Sequence, residues 1–156
     1  MGSSALISFL RQHFVLDWRG IHGAPHWSRV RLNGLRLAAS TGANIRVVEA
    51  FALLHDSCRV DDEYDPDHGA RAAVLAGKIN EQYLGLNDLE LKLLIAACEG
   101  HSAGQLTGDT TVQTCWDADR LDLGRVGIRP VASRLCTSAA RDPAVIAWAF
   151  ARSKGR

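Results

Sequence analysis

The segment from Ile45 to Leu54 is apolar on most sides of a helix and runs directly into His55 and Asp56. A helix of this kind must be surrounded by other elements, so the segment is predicted to be the central helix of the fold. Burying two titratable side chains at its end costs free energy unless both have partners. A metal ion supplies one partner for both, because imidazole and carboxylate groups are metal ligands. A buried hydrogen bond between His55 and Asp56 is the alternative, and the dipeptide alone leaves it open.

Apolar residues recur at helical spacing along most of the chain, and no alternating strand pattern of useful length is present. The expected helices are one to about Phe14, one ending near Gly42, one over 45–54, one starting at Asp65–Pro66, one starting at Asn87 with Glu90 three residues later, one over about 112–123, and one starting at Asp142–Pro143. The 156 residues fit one domain. We therefore predict an all-α, single-domain helical bundle over 1–156, with a motif-bearing core over about 20–127 and C-terminal helices over 129–153.

The charge balance excludes the usual electrostatic argument for binding a nucleic-acid polymer or a membrane surface. The chain has 18 Lys and Arg against 17 Asp and Glu, a formal net charge of +1. Its four cysteines are widely spaced, which is typical of reduced thiols. No GxxxxGK[ST] or GxGxxG phosphate loop occurs, and no apolar run is long enough for a membrane span. These features predict a cytoplasmic protein, and they leave its oligomeric state open.

Short motifs carry a resemblance to a known family. The segments HGAPHWSRV, FALLHD, DHGARAA, CEGH and WDADRLDLG, within about 20–127, resemble the HD-domain superfamily of metal-dependent phosphohydrolases. In that family a histidine, a His-Asp pair and a distant aspartate lie on the helices of one bundle and bind a metal. The resemblance implies His26, His55, Asp56 and Asp119 as the ligands of this first metal.

Two further histidines extend the resemblance. Some HD proteins place two more histidines between the His-Asp pair and the last aspartate and bind two metals. His68 and His101 occupy those intervals here, so a second ion is possible beside the first. The alternatives are a solvated residue in the first turn of a helix for His68 and a helix C-terminal cap for His101. The implied cofactor is a divalent transition metal: Mn, Fe, Co, Ni or Zn.

The resemblance implies hydrolysis of a nucleotide or another small phosphoester, in which a bound metal would activate water and polarise a phosphoryl oxygen. Asp56 and Arg59 are the predicted catalytic residues, and Arg59 and Arg29 are the predicted substrate-binding residues. The expected partner is thus a small-molecule phosphoester. The alternatives are a di-iron oxygenase of the HD type and a non-catalytic nucleotide-binding HD domain.

One departure from the family leaves the proton-transfer residue open. Several HD hydrolases carry an acid a few residues after the His-Asp pair, where this chain has Cys58 and Arg59. The acids of the following turn are either substitutes or a solvated acidic loop: Asp61, Asp62 and Glu63. Other polar residues near the motifs are interpreted as follows: His22 as a loop residue near the site, Asp117 as a partner of a ligating histidine or a cap of its own helix, and Asp122 as a solvated or capping charge.

Overall fold

The computed structural model describes residues 3–155, and this part of the chain is helical without any β-strand. The helices are α1 Ser3–His13, α2 Ala24–Thr41, α3 Ile45–Leu54, α4 His68–Ile79, α5 Asp88–Gly100, α6 Thr110–Arg120, α7 Ser138–Arg141 and α8 Pro143–Gly155. A π-helical turn at Asn80–Leu84 and two 3₁₀ turns at Leu123–Val126 and Ala132–Arg134 complete the helical segments. The predicted all-α, single-domain class is confirmed. No helix in the described part is long and apolar enough to cross a membrane.

Local capping sets most helix boundaries where the sequence predicts them. α2 ends at Thr41 and is capped by Gly42, which adopts a φ of 75° and donates its N–H to the carbonyl of Ala38. α5 begins with a reciprocal capping box, in which the side chains of Asn87 and Glu90 each accept a backbone N–H of the other. α8 begins at Pro143, after Asp142. These three predicted boundaries are confirmed.

The predicted start of α4 at Asp65–Pro66 is wrong, because the helix begins at His68. The Asp65 carboxylate does not cap a helix. It accepts the backbone N–H of Val60 at 2.8 Å and two contacts from Nη2 of Arg71, at 2.6 and 2.7 Å. This buried aspartate therefore anchors the loop between α3 and α4, and the helix begins one turn later.

α3 is the centre of the fold, as its apolar sequence predicts. It packs against α2, α5 and α6, and Val47, Val48, Ala50 and Phe51 are at most 1% exposed. Full burial of a side chain of the size of Phe51 contributes about 1.5–3 kcal/mol to stability. The C-terminal end of α3 is thereby held rigidly inside the bundle, which positions the residues that follow it.

A second, smaller core joins the C-terminal segment to the bundle. Leu37 of α2 and Leu121 after α6 pack there with buried residues of the C-terminal helices. Asp117 ties the same segment by its carboxylate, which accepts the N–H of Cys136 at 2.7 Å and the N–H and hydroxyl of Thr137 at 2.9 and 2.8 Å. Asp117 therefore fixes the two residues that precede α7, whose N-cap is Thr137, and within residues 3–155 its carboxylate makes no hydrogen bond to a histidine.

Candidate metal centre

The six residues implied as metal ligands converge at one point inside the bundle. His26 lies in the first turn of α2, His55 and Asp56 follow α3, His68 is the first residue of α4, His101 follows α5, and Asp119 lies in the last turn of α6. The four histidines and Asp56 are at most 4% exposed. The structure thus brings together side chains that are up to 93 positions apart in the sequence.

A first group of donor atoms forms around His26 and His55. Their Nε2 atoms lie 3.0 Å apart. Oδ2 of Asp56 is 3.3 Å from the Nε2 of His26 and 3.4 Å from that of His55. Oδ1 of Asp119 is 3.2 and 3.5 Å from the same two nitrogens. Two imidazoles and two carboxylates therefore face a common centre.

A second group of donor atoms forms on the other side of Asp56. The Nε2 atoms of His68 and His101 lie 2.8 Å apart. Oδ1 of Asp56 is 3.2 Å from the first of them and 3.4 Å from the second. Asp56 therefore belongs to both groups, with one carboxylate oxygen directed at each histidine pair.

The hydrogen bonds of the histidines leave lone pairs at the centre of both groups. Nδ1 of His55, His68 and His101 each faces a backbone carbonyl, which can only accept, so Nδ1 carries the hydrogen. Nδ1 of His26 faces a carboxylate in the same way. In neutral imidazoles every Nε2 is then an acceptor. Acceptors that lie 2.8 to 3.5 Å apart in a buried site need a positive charge between them, either protons or metal ions.

The donor separations match the requirements of a metal ion. Ligand bonds of about 2.0–2.2 Å at octahedral or tetrahedral angles place neighbouring donors about 2.8–3.6 Å apart. The separations in both groups, from 2.8 to 3.5 Å, lie within this range. A set of imidazole nitrogens and carboxylate oxygens suits Zn, Mn, Fe, Co or Ni. The residues present therefore fit one cation in each group.

The electrostatics of the two groups also favour positive charge. Burial alone would lower the pKa of His55, but the carboxylates of Asp56 and Asp119 outweigh it and raise that pKa to about 10. Burial acts to raise the pKa of Asp56 and of Asp119, but the neighbouring histidines, His55 first, hold both values well below the ordinary one. Both carboxylates are therefore anionic at neutral pH, which is the state that binds cations.

Asp122 supports this centre, although the sequence interpretation of a solvated or capping charge missed it. It is 1% exposed, and its Oδ2 lies 2.7 Å from Nδ1 of His26. Nε of Arg29 donates to its other oxygen at 2.7 Å. The earlier interpretation is wrong because the carboxylate is buried against α2. Its spacing of three from Asp119, which places both on one side of a helical turn, is the sequence signal that points to it.

Gly69 allows α4 and α5 to approach closely at the second group. A Cβ atom at this position would lie 2.4 Å from the backbone oxygen of Cys98 and 3.3 Å from the ring of His101. Such a contact is too short for any side chain. The absence of a side chain at Gly69 therefore lets His68, the preceding residue, reach His101.

The two predicted substrate-binding arginines have different surroundings. Nε of Arg59 lies 3.5 Å from Oδ1 of Asp56, and its Nη1 donates to the backbone oxygen of Asp61 at 2.8 Å. Within residues 3–155 the buried Nε has no hydrogen-bond partner. Arg29 contacts Asp122 and lines a separate pocket with Arg19. The structure thus brings Arg59 to the centre, whereas Arg29 has a structural contact of its own.

The acidic loop after Arg59 is not simply solvated. Oδ1 of Asp62 lies 2.8 Å from Nδ1 of His22, and the ring of His22 packs edge-on to that of His26 with centroids 6.5 Å apart. Burial lowers the pKa of His22, and the Asp62 carboxylate opposes this effect. His22 is therefore a loop residue beside the centre, as expected, and it also anchors the acidic loop.

Comparison with protein-family models, with curated proteins and with solved structures found no match to this chain. The similarity to the HD-domain superfamily therefore stays a resemblance of short motifs. The donor atoms, the arginines and the pocket around them are the features of this chain that bear on its function.

Proposed function

We propose that the protein is a metal-dependent phosphohydrolase that acts on a nucleotide or another small phosphoester. The observation that carries the proposal is the position of Asp56, whose two oxygens each face a separate pair of histidines. Pairs of divalent cations about 3.5–4 Å apart are typical of enzymes that cleave phosphoesters. The HD resemblance points to the same chemistry.

Bound divalent cations would lower the pKa of a water molecule and polarise a phosphoryl oxygen of the substrate. The chain's own residues hold this arrangement in place. Asp56 joins the two groups, Asp119 completes the first, and the backbone carbonyls fix the imidazole rings of His55, His68 and His101. Preorganised ligands of this kind need no rearrangement when charge develops in the transition state.

Arg59 is the side chain proposed to contact the phosphoryl group. Its buried Nε lies 3.5 Å from Oδ1 of Asp56 but makes no hydrogen bond within residues 3–155. A guanidinium can bind two phosphoryl oxygens at once and stays charged at working pH. A cation at this position supports neutralisation of the substrate's negative charge. Asp62 is the acid of the neighbouring loop that contacts His22, and we assign no proton transfer to it.

The proposal is tested by metal analysis of protein purified without chelator, followed by a screen for phosphate release over Mn, Co, Ni, Zn and Fe and a panel of phosphoesters. We expect about two metal ions per chain and release of phosphate that Asp56→Asn abolishes. Because Asn is nearly isosteric with Asp, this variant keeps the packing around α3. Metal-loaded protein that releases no phosphate from any member of the panel would count against hydrolysis.

A di-iron oxygenase is the second candidate. Four imidazoles and a shared carboxylate suit two iron ions as well as they suit other transition metals. Iron content together with consumption of oxygen would favour it over phosphate release with Mn, Co or Ni. A non-catalytic nucleotide-binding domain would bind nucleotide and do neither. The cytoplasmic location stays a prediction.

A further inference from the structure

A large pocket opens beside the proposed metal centre. Its volume is about 740 Å³, and His101 and Asp119, one donor from each group, form part of its wall. Pockets of this size hold whole small molecules. A phosphoryl group at the cations would occupy only one end, so the rest of the pocket is available to the part of a substrate that the phosphate is attached to.

The pocket wall is strongly basic. Asp119 is its one acidic residue within the described part of the chain. Four arginines line it: Arg120, Arg125, Arg129 and Arg134. None of the four forms an ion pair with a carboxylate in residues 3–155, although the chain as a whole is nearly neutral. Unpaired cations around a concave surface attract an anion to it. This charge is more than a single phosphate held at the cations requires.

Two of these arginines are fixed to the protein by hydrogen bonds, and the other two keep their N–H donors unpaired within residues 3–155. Arg125 donates to the backbone oxygens of Ile21 and Asp122. Arg120 donates through Nη1 to the backbone oxygen of Arg134 and to Sγ of Cys136, while its buried Nη2 has no partner in that range. Arg129 and Arg134 are exposed and make no side-chain hydrogen bond there; the guanidinium of Arg129 lies over the ring of Phe150, 5.0 Å from its centroid. That stacking leaves the N–H groups of Arg129 able to donate to a ligand, as those of Arg134 are, and Arg120 adds an unsatisfied donor.

Apolar side chains occupy the same wall. Leu106, Ile128 and Val131 line the pocket and are 38%, 53% and 50% exposed. Exposed apolar surface beside charged groups in a cavity is typical of a site for a ligand with an apolar body and a few polar ends. The wall thus offers contacts for both parts of such a molecule.

We infer that the substrate is a phosphoester whose apolar body carries a second phosphate group. The first phosphate would lie at the cations, the body against Leu106, Ile128 and Val131, and the second phosphate at Arg129 and Arg134. The inference rests on the proposed hydrolase function. It narrows the substrate class from small phosphoesters in general to bisphosphorylated ones. The metal-binding groups alone do not indicate this narrower class.

The test compares adenosine 3′,5′-bisphosphate with adenosine 5′-monophosphate, which share the same nucleoside, and the faces of its base can pack against apolar side chains. Calorimetric titration of chelator-treated protein should show the bisphosphate binding about tenfold more tightly or better. The double variant Arg129→Ala/Arg134→Ala should remove most of that preference, because both side chains are exposed and their loss leaves the core intact. The matched control is Arg31→Ala, which removes an exposed arginine paired with Glu49.

Equal affinity for the two probes, or a preference that survives in the double variant, would overturn the inference. Hydrolysis by the metal-loaded protein separates this result from the proposed function. If phosphate is released from monophosphates with the same kcat/KM as from bisphosphates, hydrolysis stands and the inference is wrong. If the bisphosphate preference is present but no phosphoester is hydrolysed, the proposed function fails and the pocket's preference for two phosphates stands.

Discussion

Nδ1 of His26 lies 2.7 Å from Oδ2 of Asp122, and this contact distinguishes His26 from the other three histidines of the centre. His55, His68 and His101 are oriented by backbone carbonyls, which no substitution removes. The orientation of the His26 ring depends instead on the Asp122 side chain. Nε of Arg29 in turn donates to Oδ1 of Asp122 at 2.7 Å. Its orientation can therefore be altered without changing any proposed ligand.

Asp122→Asn should weaken metal binding at the first group by about 10- to 100-fold, the usual cost of losing the partner of a ligating histidine. The neutral amide is a weaker acceptor and no longer favours the required tautomer. Competition with a chromogenic chelator measures the affinity. Asp88→Asn, an exposed aspartate at the start of α5, is the control. An unchanged affinity in Asp122→Asn would show that metal binding by His26 does not depend on the Asp122 carboxylate.

Changing either histidine of the second group should lower the metal content from about two ions per chain to about one. His68→Ala and His101→Ala each remove one of three donors there, while His26, His55 and Asp119 retain the first group. Elemental analysis of purified protein gives the stoichiometry. His13→Ala removes an exposed histidine of α1 and serves as the control. Full occupancy in both variants would leave His68 and His101 as pocket or capping residues.

Arg59→Ala should lower kcat/KM on the best phosphoester of the release screen by about 10- to 100-fold with its metal content intact, because a charged hydrogen bond to the substrate is lost. Arg59→Lys keeps the charge but not the planar pair of donors, so its loss should be smaller. The alternative for Arg59 is a purely structural role, in which its hydrogen bond to the backbone oxygen of Asp61 holds the loop. Unchanged kinetics in Arg59→Ala would establish that role.

Glu90→Gln should reduce the free energy of unfolding by about 1 kcal/mol near pH 7, because it weakens the capping box. The Asn87 N–H, with Asn44 and Arg46, holds the pKa of Glu90 below its ordinary 4.5. The lower folded-state pKa means that the ionised carboxylate stabilises the protein above pH 4.5 and that this contribution is lost as the pH falls further. Denaturant unfolding at pH 7 and at pH 3 should therefore show a smaller difference between the two proteins in acid.

The control for this measurement is Glu99→Gln, an exposed position near the other end of α5. It removes the same charge without touching the cap, so it should cost less at pH 7. A difference between Glu90→Gln and the parent protein that stays the same at both pH values would contradict a role for the ionised carboxylate.

Gly69→Ala should destabilise the protein by about 1–3 kcal/mol and lower occupancy of the second metal group, because its Cβ would lie 2.4 Å from the oxygen of Cys98. The helices must then separate where His68 and His101 meet. Gly77→Ala is a matched control in the same helix, since a Cβ there meets nothing within 4 Å. It should stabilise α4 by about 0.5–1 kcal/mol. Thermal unfolding and elemental analysis of both variants provide the comparison.

The sequence predicts those parts of the fold that depend on local interactions. Gly42, the Asn87–Glu90 pair and Pro143 mark helix boundaries because their effects act within a few residues. Asp65 gives a wrong helix start because its carboxylate accepts hydrogen bonds from Val60 and Arg71 instead of capping α4. The π-helical turn after α4 has no such local signal and was not predicted.

The candidate site, like the fold, has a part that the local sequence predicts and a part that only the folded chain reveals. The proposed ligands could be selected because recognisable short motifs contain them, and their convergence is a property of the folded chain. The contact between Asp122 and His26 spans 96 positions, so the spacing of Asp122 from Asp119 points to the residue but not to its partner. Asp117 likewise reaches a segment 19 and 20 positions away, so its partners before α7 could not be predicted from its own helix.

The proposed ligands lie on or directly beside α2, α3, α4, α5 and α6, so cations bound in the two groups would together connect five helices. The unfolded chain scatters these donors and cannot offer the same centre. Folding and cation supply would then be thermodynamically linked: a free metal concentration one hundred times the dissociation constant adds about 2.7 kcal/mol to the folded state. In a cell that restricts transition metals, the abundance of such a protein would report on the metal pool before its catalytic rate did.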